Sequence, residues 1–229
     1  MRLRNSLIAA TLATVASGAG LLAISAPAAQ ATSAKAEVTV VHGIPNTPVT
    51  VYANNRVLIK DFVFGKTDSV ALNPGKYALA IRPYGAAPKS KSILAATVNV
   101  TAGENATVVA NLTATGAPTL NVFANPTTAI PMGDARVIVR HVAEAPAVDV
   151  YAGPTTSPAL VTNLVNPMSS SPANVPAGRY PISVYPTGTT TAPVIGPASL
   201  TLAPDTTYIV YAIGSLTGKT LTVAVQSYK

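Results

Sequence analysis

The sequence predicts an all-β protein made of two tandem β-sandwich domains behind an N-terminal signal peptide. Three observations predict it. First, the chain repeats itself: His42 to Tyr52 (HGIPNTPVTVY) recurs as His141 to Tyr151 (HVAEAPAVDVY), with histidine, two valines and tyrosine at the same spacing. A period of about a hundred residues marks a duplicated domain, since solenoid units run roughly 20–50. Second, short alternating apolar runs are separated throughout by Gly, Pro, Asn and Asp turns, and helical periodicity is nearly absent after the leader. Third, 48% of the residues are hydrophobic and only 10% charged. A disordered chain would show the reverse balance, whereas β-branched residues with abundant turn formers suit many short strands.

The leader is expected to span residues 1–31. Arg2 and Arg4 form its basic start, Leu7 to Ile24 its apolar stretch, and Pro27 breaks it before the small-residue site Ala29-Gln30-Ala31. Cleavage is expected after Ala31. The apolar stretch is also long enough for an anchor helix, but the break and the cleavage site favour removal. Residues 32–36 follow as a short tail. The first repeat then runs over 37–125, a linker over 126–134 and the second repeat over 135–229. The linker is short and contains prolines, which restricts the relative orientation of the two repeats.

Within each copy the strands come in matched order. Glu37 to His42 (EVTVVH) alternates, placing Val38, Val40 and His42 on one face, and Arg136 to His141 (RVIVRH) does the same with Val137, Val139 and His141. Val49/Val51 and Val148/Val150 form the next strand. Pro45, Pro48 and Pro146 keep the intervening connection free of ladder hydrogen bonds. Gly75 and Gly178 supply turns, and Tyr77 and Tyr180 open the strands that leave them. Ala96 to Val100 matches Ala198 to Leu202. Ala106 to Leu112 and Tyr208 to Ile213 are apolar on both faces, as doubly covered strands are. Thr119 to Phe123 and Thr220 to Val225 close the copies. About seven short strands per copy imply an immunoglobulin-like or transthyretin-like β-sandwich.

The paired histidine openings, the V-x-V-Y strand, the G-x-Y turn and the phrases RVIVRHVAEAPAVDVY (Arg136 to Tyr151) and YAIGSL (Tyr211 to Leu216) together resemble a bacterial family. It is the domain of unknown function 4397, often found as exported tandem copies in actinobacteria. The resemblance covers nearly the whole chain after the leader. It implies fold and export and assigns no biochemical role. The first copy departs from the pattern at Thr50, where the second carries Asp149.

The residues that carry chemistry are few. No cysteine occurs, which excludes disulfides, thiolate metal sites and thiol catalysis. His42 and His141 are the only histidines. Their parity matches the core valines, so each imidazole is expected to hydrogen-bond backbone in the loop that follows it. Asp149 points to the face opposite Val148 and Val150, where an exposed cross-strand pair with Arg140 or Arg136 is expected. Tyr52, Tyr77, Tyr151 and Tyr180 belong to the repeat signature and to the core or its rim. Tyr84 and Tyr185 lie next to loops, and with Lys89 and Lys91 they form the candidate ligand or partner surface.

The net charge of +7, which falls to +5 when Arg2 and Arg4 leave with the leader, attracts the protein weakly to anionic envelopes. No dense basic block with interleaved aromatics suggests nucleic acid. Metal-ligand, nucleophile-elbow and phosphate-loop motifs are absent, so no cofactor and no catalytic residue is expected. The reading that results is a secreted, non-enzymatic structural, adhesive or interaction protein, loosely held at the cell wall, with no transmembrane anchor once the leader is cleaved. Its partner is an unidentified protein or a cell-wall polysaccharide. The alternatives are a carbohydrate- or cell-wall-binding module and a hydrolase with a dispersed site.

Overall fold

Sixteen strands and no helix make up residues 33–229, described here by a computed structural model. The signal peptide assigned to 1–31 lies outside the described residues. The first copy holds β1 (Ala36–His42), β2 (Val49–Ala53), β3 (Arg56–Phe62), β4 (Thr67–Leu72), β5 (Gly75–Pro83), β6 (Leu94–Val100), β7 (Asn105–Leu112) and β8 (Pro118–Ala124). The second holds β9 (Asp134–His141), β10 (Val148–Ala152), β11 (Val161–Leu164), β12 (Ala173–Pro176), β13 (Gly178–Pro186), β14 (Ile195–Leu202), β15 (Thr207–Ile213) and β16 (Thr222–Tyr228). Each copy thus has eight strands. β3, β4, β11 and β12 carry only weak or broken apolar alternation, as sheet-edge strands do, and so give no clear strand signal in the sequence.

Each copy folds into two four-stranded sheets with the same connectivity. The orders are β4-β1-β7-β8 and β3-β2-β5-β6, repeated as β12-β9-β15-β16 and β11-β10-β13-β14. Pairing is antiparallel except for β1 with β7 and β9 with β15. An immunoglobulin sandwich sets strands A-B-E-D against C-F-G. Neither order here matches that, which leaves the transthyretin-like sandwich of the two expected architectures.

Strand alternation sends side chains to two different cores. Val38 and Val40 of β1 pack inside the first sandwich with Val51, Ile81 and Val108. Val139, Val148, Val150 and Val184 fill the second. A third core lies between the copies: Val41 and Val109 meet Ile138, Ile209, Tyr211 and Ile213, with Phe64 and Phe123 packed against them. The sheets containing β1 and β9 therefore lie back to back, and the four sheets stack in the order outer, inner, inner, outer. This double coverage explains why β7 and β15 are apolar on both faces. Gly43 sits at the junction, where an added Cβ would lie 3.1 Å from both the Ala110 carbonyl oxygen and Ile213 Cγ2.

The connecting segment is tied down by the strand that follows it. Arg136 donates from Nη1 to the Thr128 carbonyl at 2.8 Å and from Nη2 to the Ala129 carbonyl at 2.9 Å. Tyr228 donates to the Pro126 carbonyl from the far end of the chain.

Candidate functional site

The two histidines occupy equivalent, fully buried positions at the ends of β1 and β9. His42 Nδ1 accepts from the Ile44 N–H at 3.3 Å. That fixes the proton on Nε2, which donates to the Thr47 carbonyl at 2.8 Å. His141 repeats the arrangement, accepting from the Ala143 N–H at 3.4 Å and donating to the Pro146 carbonyl at 2.9 Å. Each ring pins the proline-containing loop between the first two strands of its copy. Burial holds both imidazoles below the usual histidine range, against a smaller upward pull from the carbonyls they serve. Both are neutral rings with both nitrogens engaged.

The tyrosines of the turn signature also act in matched pairs. Tyr77 donates its hydroxyl to the Asn73 carbonyl and Tyr180 to the Pro176 carbonyl, each at 2.8 Å. Each therefore closes the turn at Gly75 or Gly178 over itself.

Asp149 does not pair with an arginine, contrary to the sequence expectation. It lies on the outer sheet and is only 8% exposed, whereas Arg136 and Arg140 are on the inner sheet. Its carboxylate accepts from the Asn163 N–H at 2.7 Å, the Thr187 hydroxyl at 3.1 Å and the Gly188 N–H at 3.1 Å. Burial pushes its pKa upward, but the three donors outweigh that and hold it below the usual carboxylate value. Asp149 thus ties the edge strand β11 and the loop after β13 to β10.

The candidate surface residues do not come together. Tyr185 is buried and meets Tyr151 edge-on at 5.7 Å, because it belongs to β13 and not to the loop beyond it. Tyr84 is 49% exposed on the first copy. It lines a shallow hollow of about 300 Å³ on the outer sheet with Thr50, Tyr52, Val57, Lys60 and Ala86. Lys89 and Lys91 are exposed on the loop that follows Tyr84 but do not line the hollow. Behind Tyr52 lies Arg82, 7% exposed, with its guanidinium carbon 4.7 Å from the tyrosine ring centre. Its Nε donates to the Ser90 carbonyl at 2.8 Å, and its Nη1 has no partner.

One polar cluster was missed by the sequence reading. Arg140, 1% exposed, lies in the interface between the copies. Its Nη1 donates to the Tyr211 hydroxyl at 2.8 Å, and its Nη2 donates to the Ala124 carbonyl at 3.0 Å and Asn125 Oδ1 at 2.9 Å. Its guanidinium carbon lies 4.5 Å from the Phe123 ring centre. Tyr211 passes its proton toward Gln226 Oε1 at 2.7 Å, and Gln226 Nε2 donates to Thr39 Oγ1 at 2.8 Å. Thr107 donates to the same Gln226 oxygen at 2.9 Å. Burial lowers the Arg140 pKa, with Tyr211 opposing, and burial raises that of Tyr211. The signal available in the sequence was that Arg140 shares with Ile138 the face of β9 opposite Val137 and Val139, a face that reads as exposed until its cover is known.

Among the described residues, no group of three or more histidine, aspartate or glutamate side chains is placed to hold a metal ion. No helix of the described residues is long and apolar enough to cross a membrane.

What the fold and these residues define is a duplicated β-sandwich whose two copies share a buried interface. The chain belongs to the family described as Domain of unknown function (DUF4397), whose model matches residues 36–151 and 142–228. Among solved structures it is similar to the Bacillus anthracis TIE protein, at 12% sequence identity and a TM-score of 0.23, over 80% of this chain and 34% of that one. The chain spans about a third of that structure's length. A search of the curated proteins finds no match.

Proposed function

We propose that the protein is an exported, non-enzymatic structural or adhesive module acting at or beyond the cell envelope. The observation that carries this reading is the interface between the copies. A shared apolar core and a continuous hydrogen-bond network from Arg140 to Thr39 join two sandwiches into one stacked body. Such a body holds its two outer sheets and its loops at fixed separation, which suits a spacer or display element. The histidines support the same reading, because both ring nitrogens of each are committed to the loop that they hold. A dispersed hydrolytic site would need a ring free to take a proton from a nucleophile. Fractionation of the native cells tests the proposal: the processed chain is expected in the medium and the envelope fraction. Recovery in the cytoplasm alone overturns it.

A second reading is favoured by the hollow beside Tyr84. An exposed tyrosine over a shallow, partly apolar surface with Lys60 at its rim is suited to stacking on a sugar ring. Retention on purified cell wall, compared with Tyr84→Ala and with Lys89→Ala/Lys91→Ala, tests it. Loss of retention with the tyrosine variant supports glycan binding, and unchanged retention removes it.

A further inference from the structure

The two outer sheets end in four edge strands, β3 and β6 on the first copy and β11 and β14 on the second. Edges are usually blunted by charge, proline, bulges or short length. Three of the four are. β3 carries Arg56, Lys60 and Asp61 and breaks register twice against β2. β11 has four residues and a register break. β14 contains Pro197, which has no N–H, and its pairing with β13 also breaks.

β6 has none of these devices. Leu94 to Val100 (LAATVNV) contains no charge and no proline. It pairs with β5 over seven consecutive residues without a shift. Because β6 ends its sheet, its outward N–H and C=O groups have no strand partner among the described residues. β8 (PTLNVFA), which packs beside β6 on the same side of the sandwich, is also uncharged, and its Val122 is 50% exposed.

We propose that β6 is a self-association edge, and that two copies of this chain pair β6 to β6 antiparallel about a two-fold axis through Thr97. The sequence of the strand is self-complementary in that register. Leu94 would oppose Val100 and Ala96 would oppose Val98, which are the core-facing positions of the strand. Ala95 would oppose Asn99 and Thr97 its own counterpart on the exposed face. Apolar side chains thus meet apolar ones and polar meet small or polar ones. A basic protein meets its own copy there without placing like charges across the junction. The pairing joins two four-stranded sheets into one of eight and brings the two β8 edges to the same side.

The absence of cysteine makes the test direct. Directly opposed residues of an antiparallel pair have Cα atoms about 4.5–5.5 Å apart, within disulfide range. The Thr97→Cys protein is therefore expected to form a disulfide-linked dimer under mild oxidation. Ala95→Cys, equally exposed on the same strand, is expected to stay monomeric, because its counterpart would lie four residues along, about 13 Å away. Sedimentation equilibrium of the unmodified protein is expected to show a reversible dimer, and Thr97→Lys to weaken it about tenfold or more by setting like charges together. Circular dichroism of each variant confirms that it is folded. A single-chain mass for the unmodified protein at every concentration overturns the proposal. So does cross-linking of Ala95→Cys as fast as Thr97→Cys, the sign of random collision.

Discussion

The Arg140 guanidinium donates to the Tyr211 hydroxyl at 2.8 Å, and both side chains are essentially excluded from solvent. The groups that hold this cation are a phenol, an amide oxygen and a backbone carbonyl, together with the faces of two aromatic rings. Ala124 and Asn125, which take two of its hydrogen bonds, end the first copy, so the arginine joins that copy to its own.

Arg140→Ala is expected to destabilise the protein by about 3 kcal/mol, because hydrogen bonds to a charged group contribute roughly 1.5–3 kcal/mol each and the cation's own burial cost offsets part of their sum. Arg140→Met, which fills the space without a charge, is expected to cost about 1 kcal/mol. Urea unfolding followed by tyrosine fluorescence and circular dichroism measures both. The unmodified chain is expected to give one coincident transition, since the copies share a core. Two separated transitions would show that the shared core does not couple them.

Stability is expected to fall as the medium is acidified below about pH 6.5. Both histidines have folded-state pKa values depressed by burial. The unfolded chain therefore takes up their protons first. The stabilisation is fully present above the unfolded value and is lost as pH falls through the folded one. Each histidine contributes a slope of up to about 1.4 kcal/mol per pH unit in that window. His42→Gln presents an amide N–H and an amide oxygen in place of the ring nitrogens, and should remove one share of the slope. Denaturation midpoints from pH 7.5 down to about 5, above the range in which carboxylates titrate, decide it.

Each copy carries half of a cross-strand charge pair. On the outer sheets Thr50 is opposite Arg82, and Asp149 is opposite Tyr185. Thr50→Asp sets a carboxylate across from a buried guanidinium that has an unpartnered nitrogen. A gain of about 1 kcal/mol at neutral pH is expected, the hydrogen bonds exceeding the cost of burying the acid. The gain should vanish as the new carboxyl protonates. An unchanged or lowered melting temperature at neutral pH would count against the pairing.

Asp149→Ala removes three hydrogen bonds and leaves the amides of Asn163 in β11 and Gly188 in the loop after β13 without this acceptor. A loss of about 2 kcal/mol is expected. Amide exchange at Asn163 and Gly188 should accelerate while that of β15 stays slow, which separates local loosening from global unfolding.

The architecture was readable because duplication shows each signal twice. Alternation in Val38, Val40 and His42 recurs in Val137, Val139 and His141, and the two-sided apolar runs of β7 and β15 announced covered strands. Most of the partners of Asp149 were not readable, since two of the three are backbone amides 14 and 39 residues away, in β11 and in the loop after β13, and backbone donors leave no trace in side-chain identity. The burial of Tyr185 was missed for a related reason. Its strand extends one residue past it to Pro186, so a residue that reads as a loop neighbour packs against Tyr151. Arg140 looked like half of a surface ion pair because strand parity names a face without saying what covers it. Here the cover is the other copy.

Val41 and Val109 stand opposite each other in the first copy, where Arg140 and Tyr211 stand in the second. The once-equivalent faces have become lock and key. Two first halves would meet without the cation that ends the network, and two second halves without the Ala124 and Asn125 oxygens that take two of its hydrogen bonds. Removing either half would uncover the apolar wall and the polar network that the other half closes.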